Sequence, residues 1–397
     1  MSNINSNNIF SLQNKLIQLL FIIILFGPIF SYLLPVDILG ISLFNVFFPL
    51  LLIVIILSYN IKLNIYIKFL IFFIISYLVI LFLRYFIYGE SFLQATINNF
   101  YAIYFLLLFI LFRNNPLTTN TIKFISKIIF ISLIFNFVNT IFFLLDLPNI
   151  NAVNELSEDF IENSRFVGIM GGANVQANFV VIQLFLFISI NKHRSILFRI
   201  IIIFCTLIAI LPTLSRGGIL FWLICLITLF TQLQIKYLLL FILSIIILLA
   251  QTNIIQYFNI LDGVFDSLNN RMLNDDISNG RIDLFNLFID RMLENGNTFI
   301  IGIEQTKQFG QFGISFSDNS FILLISNLGF CLVIFFIFYI IFFLSQLKLY
   351  GAEYKLYLIG TFFIFTTNNT LLHLHWSYLS VFGFYLLNKL KSDRCTL

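Results

Sequence analysis

Three arginines are the residues most able to do chemistry in this sequence. Arg165 precedes Gly168, Gly171 and Gly172, then Asn174-Val175-Gln176-Ala177-Asn178. Arg216 sits in Thr213-Leu214-Ser215-Arg216-Gly217-Gly218, and Arg281 in Asn279-Gly280-Arg281. A guanidinium grips phosphate oxygens with a planar two-pronged fork and keeps its charge at any physiological pH. Three of them converging on one outer pocket would suit a pyrophosphate held in the membrane by a lipid. The plainer alternative pairs each with an acidic side chain or a lipid headgroup. The glycine contexts of Arg216 and Arg281 favour the functional reading, while Arg271 and Arg291 read as solvated loop charges. Asp318, at the start of an apolar run, fits either a helix N-cap or a base for a sugar hydroxyl. His373 and His375 stand two apart and do not share a helix face, so a metal pair is not expected. No P-loop, HExxH or dinucleotide fingerprint occurs, and neither a cofactor nor a metal is expected.

The elements that must position these residues are dictated by composition. Of the 397 residues, 60% are hydrophobic and only 10% charged, with a mean hydropathy of +1.01. A soluble domain carries about a quarter charged residues. The expected class is an all-α, polytopic helical membrane protein forming a single integral membrane domain over residues 1–397. Twelve apolar runs are candidate spans: Leu16–Tyr32, Ile38–Leu57, Ile67–Ile87, Phe100–Leu111, Ile125–Leu145, Val167–Ile190, Ile196–Leu214, Gly217–Phe230, Tyr237–Ala250, Phe321–Leu344, Lys355–Phe365 and Leu371–Leu387. The first lacks a small-residue cleavage site and reads as an uncleaved anchor.

With the N-terminus inside and strict alternation, 15 of the 22 basic side chains fall on inner segments, and 16 of the 18 acidic ones fall outside. Positive-inside bias sets orientation, so this distribution supports twelve spans with both termini cytoplasmic. The span middles hold almost no charge. Arg84 lies near an outer end, where its stem could snorkel. An ion-coupled transporter would need acidic or basic groups at mid-membrane.

The longest polar stretch, residues 251–318, then becomes an extracytoplasmic loop between the ninth and tenth spans. Within it, Ser278-Asn279 can cap a helix starting near Gly280. Ile282, Phe285, Phe288 or Ile289, and Met292 follow on one face, and Asn295-Gly296 is a stop signal. An amphipathic helix lying against the membrane surface or the other helices is expected.

The order of these motifs carries a resemblance. Gly-Gly-Ala-Asn at 171–174 is followed by Leu-Ser-Arg-Gly-Gly at 214–218, Gly-Arg-Ile-Asp-Leu-Phe at 280–285 and Ile-Gly-Ile at 301–303. Asp-Asn-Ser-Phe-Ile-Leu-Leu-Ile-Ser-Asn-Leu-Gly closes the series at 318–329. Over Arg165–Gly329 the chain resembles the O-antigen polymerase and O-antigen ligase superfamily of bacterial envelopes. The resemblance implies a metal-independent, inverting glycosyltransferase of the cytoplasmic (inner) membrane that works at its outer face. The donor would be an undecaprenyl-pyrophosphate-linked oligosaccharide, and a chain-length regulator protein an expected partner; no nucleic acid is implied. Arg216 and Arg281, with Arg165, would bind the pyrophosphate. Arg281 and Asp318 would serve catalysis, and Asn174, Asn178, Asn319, His373 and His375 would meet the glycan. Ligases carry His-Asn where this chain has Asp318-Asn319, and Gly-x-Gly where it has Gly302-Ile303-Glu304. These departures favour a repeat-unit polymerase over a ligase that transfers polymer to a lipid A core, and both over a flippase.

Overall fold

The computed structural model describes residues 2–33, 37–38, 41–42, 65–91, 103, 106–108, 117–150, 166–170, 172–213, 215–230, 281–294, 296–304, 320–346, 352–367 and 374–394. Among the described residues the regular structure is helical, apart from one two-residue antiparallel pair, Asp37–Ile38 with Ile41–Ser42. Four helices among the described residues are long and apolar enough to cross a membrane: Ile67–Tyr88, Thr119–Leu144, Ala173–Ile190 and Ile196–Thr213. Shorter apolar helical stretches occupy Asn14–Ile29, Gly217–Ile227 and Tyr378–Leu387. The helix at Ile65–Tyr88 is apolar on both sides. It buries Phe73, Tyr77, Ile80 and Leu81, yet leaves Phe72, Ile75, Val79, Phe82 and Phe86 exposed at spacings of three and four. An all-round apolar helix with one bare face has lipid as its natural solvent.

The chain divides into two compact units, one of Met1–Ile128, Gly280–Leu349 and Thr361–Leu397, the other of Ile129–Asn279 and Tyr350–Gly360. The helices of the first are α1 (Ser2–Leu33), α2 (Ile65–Tyr88) and the start of α3 (Thr119–Leu144), with α7 (Arg281–Glu294), α8 (Gly296–Ile301), α9 (Ser320–Leu328), α10 (Phe330–Gln346) and α12 (Leu374–Arg394). In this unit α1 meets α12 where Phe21 packs edge-on against Tyr378 and Phe382, with centroids 5.1 and 4.4 Å apart. The α2 ring Phe69 stacks on Phe335 of α10 at 5.4 Å.

The second unit holds the rest of α3, then α4 (Ala173–Ile190), α5 (Ile196–Ile210), α6 (Arg216–Phe230) and most of α11 (Ala352–Thr367). Its centre is α4, on which nearly every side chain is buried. Tyr357 of α11 lies against Phe185 of α4 (4.8 Å) and Phe221 of α6 (6.5 Å). Trp222 of α6 donates its indole N–H to the Ile203 carbonyl of α5 at 3.1 Å.

Three expected spans have different shapes. The second run opens as the Asp37–Ser42 pair rather than as a helix at Ile38. The Val167–Ile190 run starts with a short 3-10 turn at Gly168–Met170, where Gly168 has φ +59, and α4 begins only at Ala173. The tenth run is two helices, α9 and α10, parted by Gly329 at φ +76. A Cβ at Gly329 would collide with the Ile300 carbonyl, so the break admits only glycine and lets α8 press against it. The run Tyr237–Ala250, most of Ile38–Leu57 and of Phe100–Leu111, and residues 251–280 and 305–319 of the long polar loop lie outside the described residues.

Candidate functional site

The polar loop's helix has the bounds its sequence signals imply. It starts at Arg281, one residue past Gly280, and stops at Glu294, before Asn295-Gly296. Phe288 and Met292, one turn apart, pack with Ile303, and Leu287, Ile322, Ile325 and Phe330 border this cluster. Phe285, Ile289 and Leu293 stay exposed on the other flank, Leu293 by 78%. α8 is tied back to α7 by Thr298, whose hydroxyl donates to the Met292 carbonyl at 2.6 Å.

What fastens this assembly is Arg84, a residue expected only to snorkel. It is 2% exposed, and its guanidinium is saturated. Nε and Nη2 donate to the two carboxylate oxygens of Glu90 at 2.7 and 2.8 Å. Nη2 also donates to the Ile303 carbonyl at 2.9 Å, and Nη1 to those of Ile301 (2.8 Å), Asn327 (3.0 Å) and, at longer range, Ser326 (3.4 Å). Tyr88 places its ring 5.6 Å from the guanidinium carbon and donates its hydroxyl to the Gly302 carbonyl at 2.9 Å. The Ser326 carbonyl also takes the Ile303 amide at 2.7 Å. Arg84 thus ties the end of α2 to the exit of α8 and to the last turn of α9, whose carbonyls the Gly329 break frees. Gly302, at φ +84, leaves no room for a Cβ against the Ser326 carbonyl. The sequence signals were Glu90 six residues on and the glycines at 302 and 329, but the carbonyl acceptors are more than two hundred residues away in the chain.

In the second unit, two helix N-termini sit at one end. Contacts rise in step along α4 and α6: Ala177 faces Gly218, then the Cys225 thiol reaches the Val181 carbonyl at 3.8 Å. The two helices are therefore parallel. Close approach is possible because Gly218 lacks a Cβ, which would overlap that of Ala177. Ser215 caps α6 by accepting the Gly218 amide at 3.2 Å, its own amide donating to the Thr213 hydroxyl at 3.3 Å. Arg216 is the first residue of the helix so capped. The lead-in to α4 is tied to the same turn, since the Phe166 amide donates to the Pro212 carbonyl at 3.0 Å. Unpaired amides and helix dipoles at such ends favour anions.

Of the other expected site residues, Asn174 is half-buried in the first turn of α4, and Asn178 is fully buried with both amide atoms unpartnered. His375 lies near the start of α12. Arg165, Asp318, Asn319 and His373 lie outside the described residues. Arg216 belongs to the second unit and Arg281 to the first. No family model, curated protein or solved structure matches the chain.

Proposed function

We propose that the chain is a polymerase of lipid-linked oligosaccharide repeat units for a surface polysaccharide. Its capped, Arg216-led α6, set parallel to α4 with both N-termini at one end, is the observation that carries this reading. It is the part of the described fold best suited to an anionic head group, and a polyprenyl pyrophosphate is the anion a membrane glycosyltransferase must hold. The positive-inside bias of the sequence supports placing that end at the outer face of the cytoplasmic membrane, in a twelve-span topology with both termini inside. In this reading Arg216 neutralises the pyrophosphate, and it is the sequence resemblance, not a juxtaposition in the fold, that adds Arg281 and Arg165. An acceptor sugar hydroxyl attacks the anomeric carbon, and Asp318 takes the hydroxyl proton. The bond from anomeric carbon to phosphate oxygen breaks, so the lipid pyrophosphate leaves with its electron pair and the configuration inverts.

Surface polysaccharide from a deletion strain, resolved on a gel, tests the reading. The expected result is a lipid core bearing a single repeat unit. A bare core with polymer left on its carrier would identify a ligase instead, and unchanged polymer would end the proposal. Arg216→Ala should reproduce the deletion pattern while the protein still accumulates in the membrane.

A further inference from the structure

The second unit has a polar seam inside its most buried helix pair. On α3, Ser132, Asn136 and Thr140 recur every fourth residue and are all buried. On α4, Gln176 and Gln183 stand seven apart, two full turns, and so share one face; both are 0% exposed. The two faces meet where Gln176 Nε2 donates to Asn136 Oδ1 at 2.8 Å. Farther along the same α4 face, Phe187 packs on Phe130 of α3 with centroids 5.7 Å apart.

The α3 side of the seam is satisfied. Asn136 Nδ2 donates to the Ser132 carbonyl at 2.8 Å, and Thr140 donates to the Asn136 carbonyl at 2.9 Å. The α4 side is not. Gln176 Oε1 and both amide atoms of Gln183 have no partner. Asn178 is also unpartnered, but two positions on from Gln176 it points to the opposite side of α4 and is no part of the seam.

Buried carboxamides are rarely left bare, because nothing repays the water they surrendered. Their chemistry narrows the occupant. The described residues of α3, α4 and α5 carry no acidic side chain, so a cation would find no counter-charge. The open positions include the acceptors Gln176 Oε1 and Gln183 Oε1, which repel an anion. An uncharged species that donates and accepts is required. Both glutamines are 0% exposed, so a sugar has no way in, and water is the smallest species that meets the requirement.

We propose that the α3–α4 seam is an internal water site, with ordered waters linking Gln176 Oε1 to the Gln183 carboxamide. Gln183 lies ten residues into α4, about 15 Å along its axis, so the water reaches the middle of the helix. At its other end the chain of waters underlies the Gly168 turn, since Gln176 fills the space a Cβ at Gly168 would take. The inference does not depend on the activity proposed above.

The test is radiolytic hydroxyl-radical footprinting of the full chain in lipid nanodiscs, which oxidises side chains beside bound water even where bulk solvent cannot reach. Phe187, one turn beyond Gln183 and 3% exposed, is the reporter; Phe221, 0% exposed on α6, is the dry control. Phe187 should be oxidised well above Phe221, and Gln183→Leu should abolish the excess without changing Phe221. Equal, low oxidation of the two rings in the unmodified protein overturns the proposal without any variant. So does an excess at Phe187 that survives Gln183→Leu.

Discussion

Arg84 and Gln183 are both polar side chains buried in helical apolar surroundings, and they have opposite fates. The guanidinium donates in every direction, to one carboxylate and to backbone carbonyls of α8, α9 and the segment after α8. The carboxamide of Gln183 meets nothing in the protein. A saturated polar group in a low-dielectric interior holds structure together, since removing it strands every partner at once. An unsaturated one adds nothing to the fold by itself, and leaving it unmade costs about 1–3 kcal/mol. Burial is therefore a poor guide to role; partner count separates a clamp from a receptor.

Substitution should widen this contrast. The largest effect is expected from Arg84→Ala, which takes the cationic partner from the Glu90 carboxylate and a donor from each of the carbonyls it serves. A loss of about 3–5 kcal/mol, the usual result of breaking a buried pair, should appear as a lower unfolding temperature in detergent or as degradation in the cell. Arg84→Lys should recover only part of it, because one ammonium cannot reproduce a fork that serves a carboxylate and carbonyls at once. Gly329→Ala comes next. The left-handed backbone alone costs a side chain about 1–2 kcal/mol, and the clash with the Ile300 carbonyl adds to this. A Gly329→Ala protein as stable as the parent would mean that α9 and α10 do not break there.

Gln183→Leu is the sharper probe, because its sign carries the answer. A bare amide predicts stabilisation by about 1–3 kcal/mol. A hydrated amide predicts little change, since one set of satisfied bonds leaves together with its water. The smallest effect belongs to Arg291→Ala on α7. Its partner Glu294 lies one turn on, and both side chains are more than a third exposed. Such pairs contribute about 0–1 kcal/mol, so the unfolding temperature should not move measurably.

How much of this was legible beforehand depended on how far apart the interacting residues lie in sequence. The bounds of α7 follow from Asn279-Gly280 and Asn295-Gly296, because capping and termination are decided within one turn. The start of α6 at Arg216 follows equally from Ser215 and the glycines after it. The split of the tenth apolar run was hidden, because Leu328-Gly329-Phe330 reads as uninterrupted hydropathy. Only the approach of α8 explains why a glycine stands there. The role of Arg84 is hidden for the same reason: its carbonyl acceptors are set by chain geometry that no local pattern records. Hydropathy likewise could not tell that the run at Ile38 opens in a short antiparallel pair, because apolar residues suit either conformation.

The Arg84 cluster also has a history within each synthesis of the chain. Its first carbonyl acceptor, Ile301, follows it by 217 residues. At a ribosomal pace of about 5–20 residues per second, roughly 10–40 s pass between the two. Throughout that interval the nascent α2 carries a cation whose carbonyl acceptors do not yet exist. Glu90, only six residues on, is the partner that arrives almost at once. The carboxylate is thus both the earliest partner and a lasting one, so Glu90→Gln should lower the yield of inserted protein as well as the unfolding temperature of the finished one.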